Sequence, residues 1–348
     1  MLTEEDTERG RLLQQYVTAR ITRMDRINIA LFDYDRYNTL YFFILNADEQ
    51  IYLRYGGRDE QSPTTYLNLE SLELALEKGL ELHELYRESK LAKRPVPAPR
   101  YPREIPALFE RTVKRGRCVE CHLIGDLENV QRERDGTLDK IEHLYRAPEL
   151  EKIGIELDIP KGLRVARASG SVEAAGMRAG DVIRSLNGVD TWTFGDFQWE
   201  YGRVPHTADR IALTVERDGS LLGLEVRLPD FWWHTDLTYR NLSVEPRVYF
   251  ASEPLNGREK ASLGLDPEGF AGRVNYIDPI SELLGSHELQ DGDIVYGVDG
   301  AIRDELAQAP EYYIKWRKQA GSRVTLQVLR GGDHLEVPLK TERMSFRK

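Results

Sequence analysis

The feature that most constrains this chain is an internal repeat. Residues 180–188 (GDVIRSLNG) return at 292–300 as GDIVYGVDG, with the two aspartates 112 positions apart. Farther along, residues 211–219 (IALTVERDG) match 324–332 (VTLQVLRGG) at nearly the same separation. A supersecondary pattern that recurs at this distance predicts two similar modules of about 100 residues each.

Each module has the pattern of a small β-rich domain with two helices. In the first, a strand at 163–167 precedes a short helix at 172–175, and Gly176 ends that helix where a positive φ is needed. A strand then leads to the dipeptide at 187–188, Asn-Gly, which favours a two-residue hairpin turn. An aromatic helix at 194–201 follows, and we expect it to pack on the sheet.

The first hundred residues predict a different domain. The expected elements are a helix over 3–15, a strand at 17–21, a hairpin of 40–45 with 51–55, and a helix over 67–91 whose leucines recur at helical spacing. Alternating prolines at 94–99 then favour an extended spacer. A helix over 105–117 is expected to lead into the cysteine segment.

These boundaries predict an α+β multidomain chain. It would consist of a first domain at 1–93, a proline-rich linker and cysteine segment at 94–145, the first repeated module at 146–232, and the second at 233–348.

Both cysteines of the chain lie in one motif, Cys118-x-x-Cys121-His122. This excludes a disulfide-rich scaffold and a four-cysteine zinc site. The C-x-x-C-H pattern is typical of covalent haem c attachment, in which both sulfurs form thioethers and the histidine binds the iron. A redox dithiol is a second interpretation, and a zinc site would need two further ligands.

A haem at this motif would commonly have a second axial ligand. The candidates are His143, close in sequence, and His83 on the preceding domain. An open sixth position is the alternative, and it would suit ligand sensing.

Charge and hydropathy exclude some partners. The chain carries 48 basic and 58 acidic residues, a net charge of −10, which does not suit binding to a phosphate backbone. Apolar runs are far shorter than the roughly 20 residues of a transmembrane helix. The acidic first residues do not have the pattern of a secretory signal. On this evidence a cytoplasmic location is also compatible with the sequence.

The repeat resembles the PDZ domain of HtrA-type proteases, through residues 169–171, 174–176 and 179–183 and the Asn-Gly turn. This resemblance implies binding of peptide or protein carboxyl termini at Ile153, Gly154 and Ile155 in module one. In module two it implies Leu242, Ser243 and Val244. The chain has no Gly-x-Ser-x-Gly motif, so it is not expected to be a serine protease.

Residues 42–48 (FFILNAD) resemble a thioredoxin-like strand and hairpin. In the order of its parts, nearly the whole chain resembles a bacterial family of thioredoxin-like/PDZ (seleno)proteins, in which a thioredoxin-like domain, a C-x-x-C-H segment and two PDZ modules follow one another. Members of that family commonly carry a redox cysteine or selenocysteine near the first strand, where this chain has Tyr16. The resemblance therefore implies a thioredoxin-like domain that is incomplete at its amino terminus.

We therefore expect an exported, redox-associated protein that binds haem c at Cys118, Cys121 and His122 and docks partner peptides through its PDZ domains. A periplasmic location follows from the haem interpretation, because haem c is attached outside the cytoplasm. Two alternatives stay open, namely a non-catalytic peptide-binding adaptor and a thiol-disulfide oxidoreductase using Cys118 and Cys121.

Overall fold

The computed structural model describes residues 7–235, 245–281 and 288–343. These residues form helices and several small antiparallel sheets, which agrees with the α+β expectation. The chain divides into two compact units, one of residues 1–125 with 139–241 and one of 126–138 with 242–348. Among the described helices, none has the length and apolar character needed to cross a bilayer. The four-part division stays a prediction.

The first domain contains the predicted hairpin and long helix. Its elements are α1 (Glu8–Leu13), β1 (Phe42–Leu45), β2 (Ile51–Tyr55) and α2 (Leu69–Arg87). The Asn68 side chain caps α2 by accepting from the backbone N–H groups of Glu70 and Ser71. Leucines of α2 pack on β2, and the shared core includes Leu53, Leu72 and Leu76.

The predicted strand at 17–21 is wrong. Residues 17–24 have no regular structure, and Val17 and Ile21 are both exposed. Among the described residues, β1 and β2 pair with each other in a two-stranded sheet, and residues 17–21 do not join it. Without a partner strand, the backbone N–H and C=O groups of residues 17–21 form no ladder hydrogen bonds and are hydrated instead. Their β-branched side chains are therefore not sufficient to make this segment a strand.

The predicted helix over 105–117 is shorter than expected. α3 (Pro106–Arg111) stops before Thr112, whose hydroxyl donates to the Leu108 carbonyl oxygen at 2.7 Å. A 3₁₀ turn at Val113–Arg115 follows, and Gly116 ends it with φ +65°. Thr112 and Val113, two consecutive β-branched residues, disfavour continuation of the α-helix. Helices α4 (Cys121–Arg134) and α5 (Lys140–Leu144) come next.

Module one forms two antiparallel sheets and two helices. Strands β3 and β4 pair with each other, and the larger sheet has the order β6-β5-β7-β8. Its elements are β3 (Ile155–Leu157), β4 (Val165–Ala168), α6 (Gly170–Ala174), β5 (Val182–Leu186), β6 (Val189–Asp190), α7 (Phe194–Tyr201), β7 (Arg210–Arg217) and β8 (Ser220–Arg227).

Module two lies in the second unit and has one five-stranded sheet of order β13-β12-β11-β10-β9. Its core includes Phe250, Val295, Leu326 and Val328. The elements are β9 (Phe250–Pro254), α8 (Gly257–Ser262), β10 (Gly272–Ile277), β11 (Ile294–Val298), α9 (Pro310–Arg317), β12 (Arg323–Arg330) and β13 (Asp333–Lys340).

An aspartate–arginine pair occurs at the same place in both modules. In module one, Arg217 donates two hydrogen bonds of 2.7 Å to Asp181. In module two, Arg330 donates two of 2.7 Å to Asp293. The sequence repeat therefore corresponds to one repeated local structure. In module one the turn before β5 is bonded to the end of β7, and in module two the turn before β11 is bonded to the end of β12.

Candidate functional site

The segment before β3 makes a close turn that requires glycine. A 3₁₀ turn at Leu150–Ile153 ends in Gly154, which has φ +92°. A Cβ atom added to Gly154 would lie 1.9 Å from the carbonyl oxygen of Ser169. The Ser169 N–H donates to the Gly154 carbonyl oxygen at 2.9 Å. The close approach of these two backbones sets the start of β3 against β4.

Alternate residues of β3 direct their backbone groups away from β4. Val165, opposite Leu157, directs both of its backbone groups to the 180–181 turn, because its N–H donates to Asp181 and its C=O accepts from Gly180. Val165 therefore does not bond to Leu157, and Leu157 presents its own N–H and C=O away from β4. Ile155, two residues earlier, faces the same way.

Among the described residues, β4 is the single strand that pairs with β3. The structure places the three predicted residues Ile153, Gly154 and Ile155 together at the start of this edge. Ile153 and Ile155 are each 1% exposed, backbone included, and belong to the core, whereas Leu157 is half-buried, so this edge reaches the surface at Leu157. The Gly154 N–H already donates to Glu151 within the 3₁₀ turn, which leaves Ile155 as the first outward N–H.

Helix α7 is held by the first domain, a contact that the sequence did not predict. The Arg54 backbone N–H donates to the Asp196 carboxylate at 2.8 Å, and the Thr193 hydroxyl donates to the Arg54 carbonyl oxygen. A Cβ atom on Gly195 would lie 2.8 Å from that same carbonyl oxygen. The first turn of α7 is thus attached to the end of β2.

The electrostatics of this contact follow from burial. Burial raises the pKa of Asp196 to about 6, against the lowering effect of the N–H groups of Arg54 and Trp192. Burial also lowers the pKa of Arg54, whose guanidinium carbon lies 3.9 Å from the centre of the Trp199 ring. The cation–π interaction with the Trp199 ring replaces part of the hydration that the Arg54 guanidinium loses on burial.

Aromatic side chains extend the same contact toward the β3 loop. Tyr66 of the first domain stacks on Phe194 of α7, with ring centres 3.4 Å apart. The Tyr66 hydroxyl donates to the Glu151 carboxylate at 3.2 Å. One side chain of the first domain therefore contacts both α7 and the turn that precedes Gly154.

The predicted site residues of module two, Leu242, Ser243 and Val244, lie outside the described residues.

The cysteine segment lies at the amino-terminal end of α4. Cys118 is an exposed free cysteine, and Cys121, also free, is half-buried as the first residue of the helix. Burial raises the pKa of Tyr34, and a hydrogen bond with Cys121 acts in the same direction. The His122 Nε2 atom lies 2.9 Å from a carboxylate oxygen of Glu120.

The two candidate axial ligands are bonded elsewhere. His83 Nδ1 lies 2.9 Å from the Tyr52 hydroxyl oxygen in the first domain, and His143 Nδ1 lies 2.8 Å from the carbonyl oxygen of Asp139. Within 7–235, 245–281 and 288–343, no group of three or more His, Cys, Asp or Glu side chains is arranged to hold a metal ion. The structure therefore does not bring His83 or His143 together with Cys118, Cys121 and His122.

The cysteine segment carries the donor types that covalent haem attachment needs, although the His122 Nε2 atom is engaged by Glu120. Two free thiols, one exposed and one half-buried, precede an imidazole whose side chain is 46% exposed. Thioether formation needs both sulfurs to reach a ligand from solvent, and iron ligation needs a histidine ring that a ligand can approach.

No protein-family model matches this sequence. No curated protein matches it either.

Several solved structures show a distant likeness to part of the chain. A variant of the HtrA-type protease AlgW with a decapeptide is 14% identical with a TM-score of 0.25, over 38% of this chain and 41% of that one. AlgW with a tripeptide is 13% identical with a TM-score of 0.24, over 53% and 60%. The chain thus spans less than two thirds of these proteins.

Proposed function

We propose that module one binds the carboxyl-terminal end of a partner polypeptide as an added strand along β3. The observation that carries this proposal is the outward direction of the backbone groups of Leu157, with Ile155 two residues before it. An extended peptide beside them gains main-chain hydrogen bonds without any rearrangement of β4. Such a site recognises the end of a partner chain chiefly through main-chain hydrogen bonds to the peptide, and only secondarily through the peptide's side chains.

The geometry also limits how a terminal carboxylate is held. Because the Gly154 N–H is used inside the turn and Ile155 is only 1% exposed, the N–H of the half-buried Leu157 is the accessible outward donor on this edge. The first turn of α7 is covered by Arg54 and Tyr66. A peptide on β3 therefore does not use that part of the helix, and we expect a short recognition segment.

The test uses the whole chain and a phage-displayed library of random carboxyl-terminal decapeptides. Selected peptides are then synthesised with a free carboxylate or a terminal amide, and their affinities are measured by fluorescence anisotropy. Leu157→Pro removes the outward N–H, whereas the matched control Leu157→Ala keeps it. We expect at least a tenfold loss for the proline variant and for the amide, and less than a threefold loss for the alanine variant.

Circular dichroism and thermal melting check that both variants fold. Equal affinity of folded Leu157→Pro and the unchanged protein contradicts binding along β3, as does a library that yields no peptide.

A second function is favoured by the two free thiols that precede His122 at the start of α4. We propose that Cys118 and Cys121 would hold a haem by thioether bonds and that His122 would ligate its iron. The bound group would supply a redox-active iron, suited to electron transfer or ligand sensing. Since such attachment takes place outside the cytoplasm, this proposal carries a periplasmic location with it.

The haem test is separate from the peptide test. The chain is expressed with an export signal in a host that assembles cytochrome c, and intact mass and the haem absorption band are measured. Cys118→Ser/Cys121→Ser is expected to abolish the covalent mass increase. If the unchanged protein carries no haem but reduces insulin disulfides in a Cys118-dependent way, the oxidoreductase alternative holds instead. If neither signal appears and peptide binding persists, the chain acts as an adaptor.

A further inference from the structure

A cavity lined mainly by arginine side chains adjoins the cysteine segment. It has a volume of about 540 Å³. Its arginines come from three separate stretches of chain, namely 23–26, the 3₁₀ turn Pro102–Glu104, and the residues after the turn Val113–Arg115. The lining residues are Arg23, Asp25, Arg26, Arg103, Val113, Gly116 and Arg117.

Four cations therefore face one cavity with one carboxylate among them. That carboxylate is already used, because the Arg23 Nε atom lies 2.8 Å from Asp25. In the part of the chain that the structure describes, Arg26 and Arg117 have no ion-pair partner. Convergence of like charges is unfavourable, and an anion placed between them would remove that repulsion.

The cavity lies next to the motif in space as well as in sequence. Arg117 directly precedes Cys118. The pKa of Arg23 is raised first by its hydrogen bond to Asp25 and the charge of that carboxylate, and then by Cys118, so the Cys118 sulfur is within electrostatic reach. An anionic ligand in this cavity would thus sit beside the more exposed of the two thiols.

We propose that this cavity is a binding site for a ligand that carries two anionic groups. Guanidinium groups donate paired hydrogen bonds to carboxylates and phosphates, and arginines from separate segments suit two such groups at once. Two sources share this chemistry, namely the two carboxylates of a porphyrin and a free diphosphate. The site stands on the arginines alone, so it does not require covalent attachment at the cysteines.

The test uses the full chain and three probes. Mesoporphyrin IX has both carboxylates but no vinyl groups, so it does not form thioethers; its dimethyl ester lacks the charges; inorganic pyrophosphate tests the second source. Binding of the porphyrins is followed by fluorescence and that of pyrophosphate by calorimetry. Arg26→Ala/Arg117→Ala removes two lining cations, and Arg115→Ala is the matched control, an exposed arginine that does not line the cavity.

We expect the double variant to weaken binding of mesoporphyrin IX or of pyrophosphate at least tenfold, with Arg115→Ala within twofold of the unchanged protein. Arg-dependent binding of the porphyrin but not of its ester assigns the porphyrin source. Arg-dependent binding of pyrophosphate alone assigns the phosphate source. If neither probe binds, or if the double variant binds both as well as the control does, the proposal is wrong. Failure of covalent haem attachment, read from mass, leaves these outcomes unchanged.

Discussion

Arg217 at the end of β7 binds Asp181 through two hydrogen bonds of 2.7 Å, although the two residues are 36 positions apart. The Asp181 carboxylate also accepts the Arg178 N–H at 2.9 Å, so it closes the turn before β5 as well. Its side chain is 1% exposed, whereas that of Arg217 is 23% exposed. A buried carboxylate with these partners ties the turn to the sheet and is costly to leave alone.

Loss of the arginine is therefore expected to destabilise module one. We expect Arg217→Ala to lower the free energy of unfolding by about 2–3 kcal/mol, since the carboxylate stays buried without its charged partner. Urea denaturation followed by circular dichroism measures the change. Arg210→Ala is the control, because its partners Asp209 and Glu225 are exposed, and we expect a much smaller change in stability there. Equal losses in the two variants would count against this role of Arg217.

Gly154 is expected to accept no side chain. Gly154→Ala places a Cβ atom against the Ser169 carbonyl oxygen at a positive φ, and we expect it to lower both thermal stability and peptide affinity. Gly223→Ala in β8 is the control, since its Cβ atom would meet nothing within 4 Å. Melting temperature and anisotropy are measured for both variants. A Gly154→Ala protein that melts and binds like Gly223→Ala would contradict the close backbone approach.

The contact of the first domain with α7 is expected to be sensitive to one methyl group. Gly195→Ala brings a Cβ atom within 2.8 Å of the Arg54 carbonyl oxygen, so β2 must move away from α7. We expect faster amide hydrogen exchange in β2, particularly at Arg54, whose N–H donates to Asp196. Gly125→Ala, with its nearest neighbour 3.9 Å away, is the control. Unchanged exchange at Arg54 in the Gly195 variant would show that this contact does not protect it.

The same contact is expected to give a pH dependence. The folded pKa of Asp196 is about 6, above its usual value of 3.8, so folding favours the protonated carboxyl. Its contribution is fully present below about pH 4 and is lost as the pH rises through 6, a difference on the order of 3 kcal/mol. Stability should therefore increase as the pH falls from 7 to 5.

Denaturation curves at pH 5, 6 and 7 for the unchanged protein and for Asp196→Asn isolate this group from other acids. The difference between the two proteins should change with pH in the stated direction. A difference that stays constant from pH 5 to 7 would mean that Asp196 does not titrate there.

The local sequence pattern correctly predicted those elements whose stabilising contacts are made with neighbours close in the chain. The hairpin of β1 and β2 and the helix α2 appear where the sequence predicts them, because alternation and helical periodicity express burial on one face. The segment at 17–21 has the same kind of residues but no partner strand, and α3 ends at Thr112 through a side-chain hydrogen bond. Neither outcome is visible in a short window of sequence.

The sequence by itself determined the repeated Gly-Asp modules, the hairpin, the linker and the grouping of both cysteines in one motif, since each depends on residues close together in the chain. Only the tertiary structure decided that β3 has an outward edge, that Arg54 and Asp196 join across 142 positions, and that arginines from three segments face one cavity. Such features arise from which surfaces meet when the chain packs. Residue spacing does not encode them, because burial and backbone direction depend on partners distant in sequence.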